Sequence, residues 1–300
     1  MNILKRKGQV PIGFFLLRRI VSTFLKKIFG YKLSGVKKIV KHNDFDSIIK
    51  FVIDKFSNNN NKTIFDIGAN LGQSIDRFQK IYPTSNIYSF EPTPELFINL
   101  NEKYSNNKKV TIYNFAISNE NTTGEFYTYK YHRINSFYAT DKKSKFHLSR
   151  KISAEEKNDE IFQQKIEVTT RKIDTLFKEF KLENIDILKI DTQGSEDKIL
   201  EGCSSLLANN KIKIIELELI LGFAYEKRLS FFDIEKTLAK FNYKLIAIKE
   251  SGNLLSHSNF QTDLIYVNND IFKEIKNLHE INKNIKNVMN RTDENHPVSY

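Results

Sequence analysis

Hydrophobic positions recur along this chain with two periods, and each change of period marks a new element. Residues 43–57 place Phe45, Ile48, Ile49, Val52, Ile53 and Phe56 at helical spacing behind a capping Asn43 or Asp44, which predicts an amphipathic helix. The polar run NNNNK at 58–62 ends it. From residue 63 short apolar runs alternate with helical patterns: strand TIFDIG, helix QSIDRFQKIY, strand NIYSFEP, helix PELFINLNEKY, strand VTIYNFAIS. After an interval the rhythm resumes with strand IDILKID, helix SEDKILEGCSSLL, strand IKIIELEL, helix FFDIEKTLAKF, then strands YKLIAIKE and TDLIYVN. Strands alternating with helices of this length predict parallel βαβ units. Only a polar loop at 251–261 separates the last two strands, so they pair antiparallel. The expected fold class is α/β: a Rossmann-like, seven-stranded, mostly parallel sheet with helices on both faces and an antiparallel last strand.

Residues 124–170 interrupt the rhythm. GEFYTYKYHRINSFYAT alternates aromatic and polar residues and suggests hairpin strands, while DKKSKFHLSRKISAEEKNDE is highly charged and reads as an exposed loop or short helix. Such an insertion above strand ends is expected to be a lid. Ile271, Ile275, Leu278, Ile281, Ile285 and Val288 mark a terminal amphipathic helix before a polar tail. The expected organisation is an arm at 1–42, a main domain at 43–268 and a helix and tail at 269–300.

Charge changes the picture at one end only. Residues 1–41 hold eleven of the 47 Lys and Arg and none of the 36 Asp and Glu, so the remaining chain is balanced at 36 of each. The formal charge of +11 therefore belongs to the arm. Within it, Phe14, Leu17, Ile20, Val21, Phe24, Leu25 and Ile28 share one helical side, and Arg18, Arg19, Lys26 and Lys27 the other. Arg18 and Arg19 cut the apolar run short of the ~20 residues of a membrane span and the ~7–15 of a signal-peptide core. Two readings stay open: a helix lying on an anionic membrane surface, or one docked on its own domain or a second copy. The single cysteine, Cys203, rules out an internal disulfide framework and a thiolate metal cage and fits a reducing compartment. The expected location is cytoplasmic, peripheral at the inner face of the cell membrane. With no zinc spacing and no basic stripe inside the domain, nucleic acid is not an expected partner.

The candidate chemistry gathers at strand ends, where doubly wound sheets bind ligands. Asp66 ends the first strand, and Gly68, Ala69, Asn70, Leu71 and Gly72 turn into a helix whose N-terminus favours an anionic group. An acid and a helix start together suit a zwitterion. Glu91, followed by Pro92, ends the second strand 19 residues past Gly72, where an acid accepts hydrogen bonds from ribose hydroxyls. The third strand ends in Asn114, Phe115, Ala116, Ile117 and Ser118, and the small Ala116 suits an adenine slot. Amino acid, ribose and adenine in this order point to S-adenosyl-L-methionine. A nicotinamide fingerprint fails because Asn70 and Gln73 stand where G-x-G-x-x-G needs glycine, and no P-loop lysine follows.

FDIGANLGQS, SFEPTPELFINL, NFAIS, VTTRKIDTL and IDILKIDTQGSEDKILEG, in this order, resemble the FkbM family of S-adenosylmethionine-dependent methyltransferases over roughly residues 62–268, and IIELEL and TDLIYV also fit. The resemblance implies a class I methyltransferase fold and usually O-methylation of sugars or natural products. The chain departs from the family's D-x-E-G-x-E, reading Asp191-Thr192-Gln193-Gly194-Ser195-Glu196. A base for a hydroxyl acceptor is useful in such a transfer. Asp191, ending the fourth strand, is the first candidate and Glu196 the second, against the plainer roles of helix cap and first-turn acid. His132 and His257 are rival bases. Lys189 and Lys198 read as solvated or capping, Asn135 and Ser136 as possible contacts, and one of Glu216 and Glu218 as a residue reaching the acceptor. Of Tyr127, Tyr129, Tyr131 and Phe137, half are expected in the core. The expected function is O-methylation of a hydroxyl on a glycan or similar bacterial metabolite. A catalytically weak cofactor-binding scaffold and an N-methyltransferase of amino sugars are the alternatives.

Overall fold

The computed structural model describes residues 45–57, 59–144, 147, 161–220, 224–227, 229–253 and 258–278. The chain divides into units Met1–Ile48 and Ile49–Tyr300, and the basic arm and the tail beyond residue 278 lie outside the described residues. The elements run α1 (Phe45–Phe56), β1 (Thr63–Ile67), α2 (Gln73–Ile81), β2 (Asn86–Phe90), α3 (Pro94–Tyr104), β3 (Val110–Tyr113), β4 (Ala116–Ile117) and β5 (Thr122–Tyr129). Then come a 3₁₀ turn (His132–Ile134), β6 (Phe162–Arg171), α4 (Ile173–Glu179), β7 (Ile185–Ile190), α5 (Glu196–Gly202) and α6 (Ser204–Ala208). β8 (Ile212–Ile220), α7 (Phe231–Lys240), β9 (Lys244–Asn253) and β10 (Ser258–Val267) follow.

The main sheet has seven strands in the order β3-β2-β1-β7-β8-β10-β9. All pairs are parallel except those of β10 with β8 and β9. This is the expected architecture. Every residue of β1 and β7 is buried, because helices cover both faces of a central parallel strand and it reads as an unbroken apolar run. The largest core cluster joins Phe65, Phe90, Leu188, Ile190, Leu217 and Tyr266 from five strands. Cys203 belongs to it, and burial pushes its thiol far above the usual range.

Three boundaries differ from the sequence pattern. VTIYNFAIS is not one strand. β3 stops at Tyr113, and the Asn114 side-chain amide donates to the Glu91 and Pro92 carbonyls at 3.0 and 3.1 Å. β4 then joins β6 in parallel within a second sheet, ordered β4-β6-β5. The predicted helix SEDKILEGCSSLL breaks at Cys203 into α5 and α6. There a Cβ on Gly202 would lie 2.1 Å from the Ser118 carbonyl oxygen, so the helix ends where it meets that backbone. The closing hairpin is longer than expected, and its connection at 254–257 lies outside the described residues, as does His257.

The alternating run at 124–140 supplies one strand, β5, and not the expected hairpin: a single bridge of Tyr127 with Ser136 joins it to itself, and its antiparallel partner is β6, past the charged segment. Tyr129 packs in a small core with Ile134, Ile161, Ala224 and Tyr225, while Phe137 meets Phe126 edge-on at 5.1 Å.

At the amino edge of the sheet, Asp186 is fully buried and joins several segments. It accepts from the Ser57 hydroxyl at 2.8 Å, the Thr63 N–H at 2.8 Å and the Lys213 ammonium at 2.7 Å. Removing one member of a buried pair leaves the other uncompensated, at a cost of about 3–5 kcal/mol. Asp186→Ala is expected to lower the unfolding free energy by about that much in urea titrations. A loss under about 1 kcal/mol would show that the latch carries little.

Candidate active site at the carboxyl ends of the strands

β1, β2 and β7 end side by side, and their loops line a cavity of about 360 Å³. The first loop is tightly constrained. Gly68 and Asn70 adopt φ of +82° and +51°, and a Cβ on Gly68 would lie 2.0 Å from the Asp191 carbonyl oxygen. Glycine is needed there for the close approach of two strand-end loops. Gly72 serves packing: a Cβ would lie 2.5 Å from the Tyr104 hydroxyl, and Gly72 does not line the cavity.

Glu91 fastens the second loop to the first. Its Oε2 accepts the Asn70 N–H at 2.8 Å and its Oε1 the Thr93 N–H at 3.0 Å. Burial pushes its carboxyl up to about 6; the Thr93 and Asn70 bonds oppose the shift and Asp66 adds to it.

Beneath the loops runs a polar row across the sheet, where Ser89, Asp66, Lys189 and Glu216 stand in register. Asp66 is fully buried below the cavity rather than on its wall. It accepts from the Ser89 hydroxyl at 3.2 Å and lies 3.5 Å from the Lys189 ammonium. Lys189, which the sequence presented as solvated, is 8% exposed and reaches the Gly68 carbonyl at 3.5 Å and Asp191 Oδ2 at 3.4 Å. Burial alone would lower its pKa, but Asp191, Asp66, Glu216 and Glu218 hold it above the ordinary lysine range. Glu216 is paired by Arg77 through two bonds of 2.7 and 3.0 Å, and Glu218, one step further along the same side of β8, lines the cavity.

The loop after β7 closes the site. Asp191 and Gln193 line the cavity. Glu196 does not; its Oε1 accepts the Thr192 N–H at 3.2 Å and the Gly194 N–H at 3.1 Å, and its Oε2 accepts the latter also at 3.1 Å. It shapes the loop instead of facing a substrate. Of the remaining expected contacts, Gly68, Ala69, Asn70, Glu91, Pro92 and Ala116 line the cavity. Asn114 and Ser118 do not. Asn114 stitches the loop after β2, and the Ser118 N–H donates to the Arg171 carbonyl in the second sheet.

The insertion supplies Tyr131, His132, Arg133, Asn135 and Phe137 to the wall. The His132 carbonyl accepts from the Asn70 amide at 3.3 Å, and burial, then Arg133, lowers the imidazole pKa. Ser136 is fully buried, its hydroxyl bonded to the Gln193 carbonyl at 2.8 Å. Gln261 also lines the cavity. No local pattern marks it, because only the antiparallel return of β10 beside β8 brings it there.

Among the described residues, three buried polar atoms on lining residues have no hydrogen-bond partner: Asn70 Oδ1, His132 Nδ1 and Ser195 Oγ. Each such atom costs about 1–3 kcal/mol unless a ligand completes it. The cavity thus combines open polar valences, an acid bonded to loop N–H groups and an apolar wall from Phe90, Ala116 and Ile117. These residues fit S-adenosylmethionine, with its charged amino-acid end, its ribose and its flat base.

Strand order and the placing of the site define the class I fold of S-adenosylmethionine-dependent methyltransferases. Residues 66–245 match the Methyltransferase FkbM domain, and the chain belongs to that family. The 2-O-methyltransferase NoeI of Sinorhizobium fredii is 28% identical over 156 residues, covering 49% of this chain and 60% of that protein. The chain therefore spans about 60% of the length of this curated relative. Among solved structures, magnesium protoporphyrin IX methyltransferase from Synechocystis with bound SAM aligns at 12% identity over 88% of this chain and 100% of that one, with a TM-score of 0.41. The 1,6-didemethyltoxoflavin-N1-methyltransferase of Burkholderia thailandensis aligns at 7% over 88% and 93%, with a TM-score of 0.39.

Burial also pushes Glu196 up to about 6, against the Gly194 and Thr192 N–H bonds and with Asp191 adding to the rise. A carboxyl raised on folding binds more protons in the native state. Its stabilisation is complete below the unfolded pKa and is lost as pH rises through the folded one. Between about pH 4.5 and 6 the unfolding free energy should fall for the native chain and fall less steeply for Glu196→Gln. Urea titrations across that range test this, and equal slopes would refute the shift.

Proposed function

We propose that this protein transfers a methyl group from S-adenosylmethionine to a hydroxyl of a glycan or similar bacterial metabolite. The observation that carries the reading is the placing of two acids, Asp191 and Glu218, on the same cavity as the Gly68–Asn70 loop and Glu91. Family membership supports methyl transfer, and the relative named as a 2-O-methyltransferase supports oxygen as the acceptor atom.

The bound donor supplies a methyl group already activated on a sulfonium. The chain's own residues bind, orient and keep out water. Glu91 and the Asn70 side chain would offer acceptors to the ribose and amino-acid ends, Phe90, Ala116 and Ile117 would offer an apolar wall to the base, and Tyr131, His132 and Phe137 add the insertion's side of the wall. Alignment of two bound reactants accounts for up to about 7–11 kcal/mol of a barrier. A proton acceptor beside the hydroxyl adds about 10²–10⁴-fold, and an acid lining the cavity can hold that proton.

Hydrogen bonds to a charged group are worth about 1.5–3 kcal/mol, so Glu91→Gln should weaken S-adenosylmethionine binding about 10- to 100-fold by calorimetry. Its fold should persist, as read by circular dichroism. Glu91 suits this test better than Asp66, whose removal would strand the Lys189 ammonium. Unchanged affinity would defeat the cofactor site, and the product linkage, O-methyl or N-methyl, would tell a hydroxyl acceptor from an amino sugar.

The reading places the protein in the cytoplasm, held at an anionic membrane face by its arm. The charge pattern of residues 1–41 supports the membrane contact, and no described helix is long and apolar enough to cross a membrane. Deleting residues 1–41 should abolish co-sedimentation with vesicles containing anionic lipid, and raised salt should weaken it for the full chain. Undiminished pelleting would remove the membrane role.

A further inference from the structure

Asp191 and Glu218 face one cavity from neighbouring strands, yet their surroundings differ. Asp191 Oδ2 lies 3.4 Å from the Lys189 ammonium. Glu218 is held by neutral amides: Oε1 accepts from Gln193 Nε2 at 3.0 Å and Oε2 from Gln261 Nε2 at 2.9 Å. The same Gln193 Nε2 donates to Asp191 Oδ1 at 3.0 Å, so one amide bridges the two acids. Gln193 is itself held firmly. Its backbone has φ of +59°, its Oε1 accepts from the Tyr225 hydroxyl at 3.0 Å, and its carbonyl accepts from the Ser136 hydroxyl at 2.8 Å.

We propose that Glu218 takes the proton from the acceptor hydroxyl and that Gln193 is the positioning residue that aims its carboxylate. This rests on the methyl-transfer reading above. In the step the acceptor O–H bond breaks and its proton goes to a Glu218 oxygen. An electron pair of the acceptor oxygen forms the new bond to the methyl carbon. The pair of the old carbon–sulfur bond stays on sulfur, which leaves as a neutral thioether.

Asp191 is the poorer candidate for this work because its charge is already engaged by a buried ammonium. The other acids around Glu218 have cationic partners of their own. Asp263, opposite it on β10, faces Lys249 at 3.7 Å, and Glu216 is taken by Arg77. Lys189 on β7 reaches Asp66 and Asp191, and His132 lines the same cavity. The glutamine where the family's pattern has glutamate also gains a reason. A carboxylate at 193 has no hydrogen to give, and it would set a third negative charge between two others.

Burial, reinforced by Asp191 and Asp263 and opposed by Lys189 and the Gln193 bond, pushes Glu218 up to about 8. The proton-accepting form therefore grows as pH rises through that value.

The test is a ¹³C-carboxyl NMR titration of the full chain without ligand, for the native protein, Glu218→Gln, Asp191→Asn and Gln193→Glu. One carboxyl should titrate near 8 in the native chain, vanish in Glu218→Gln, persist in Asp191→Asn and move higher in Gln193→Glu. With S-adenosylmethionine and a panel of methyl glycosides, S-adenosylhomocysteine release should climb with pH through the same midpoint. Glu218→Gln should lower kcat about 10²- to 10⁴-fold. The proposal is overturned if no carboxyl titrates in that range, if the signal belongs to Asp191, or if the rising limb vanishes in His132→Gln instead. Calorimetry on the same samples separates the two levels. A native chain that binds no S-adenosylmethionine defeats the methyl-transfer reading. A native chain that binds it, with a Glu218→Gln variant that turns over at the native rate, defeats the base assignment alone.

Discussion

Lys189 carries an ammonium into the sheet with only 10% of its side chain exposed, and a charge so placed costs several kcal/mol unless neighbours compensate it. The compensation comes from two strand ends at once. Asp66 on β1, Asp191 past β7 and the Gly68 carbonyl all lie 3.4–3.5 Å from its nitrogen. One cation therefore fastens the loops after β1 and β7 over the sheet. That fastening brings the two loops so close that only glycine fits at 68. The cavity floor follows from this constraint. Glu216 has its own partner in Arg77, and Glu218 is left to amides.

The same constraint explains what could be read in the sequence. The central strands were legible because burial on both faces writes them as unbroken apolar runs. Asp66, Glu91 and Asp191 stood out as acids where such runs end. Lys189 did not, because a lysine inside IDILKID looks like one that turns to solvent. Its burial depends on acids brought by neighbouring strands in register, and register is not written locally. Gln261 was hidden for the same reason, reaching the site only because β10 inserts beside β8. Glu196 was misleading in another way. An acid at a helix start is as well suited to accept its own loop's N–H groups as to serve a substrate, and here it does the former. Ser118 was drawn toward the site by a strand that the structure ends at Tyr113.

Backbone strain separates the site from the scaffold. Among the described residues five non-glycine positions have positive φ: Asn70, Lys181, Gln193, Asn210 and Asn242. Lys181, Asn210 and Asn242 each follow the capping residue of α4, α6 and α7, the ordinary left-handed helix ending. Asn70 and Gln193 end no helix, and both line the cavity. A left-handed residue with a side chain costs about 1–2 kcal/mol, so at these two positions other bonds must hold the conformation. Glu91 and the His132 carbonyl hold Asn70. Tyr225 and Ser136 hold Gln193. A methyl already activated by its sulfonium asks a protein mainly for fixed directions, and these are the two side chains whose directions the fold strains to fix. One presents an open carbonyl oxygen to the cavity, and the other sets the geometry of both acids.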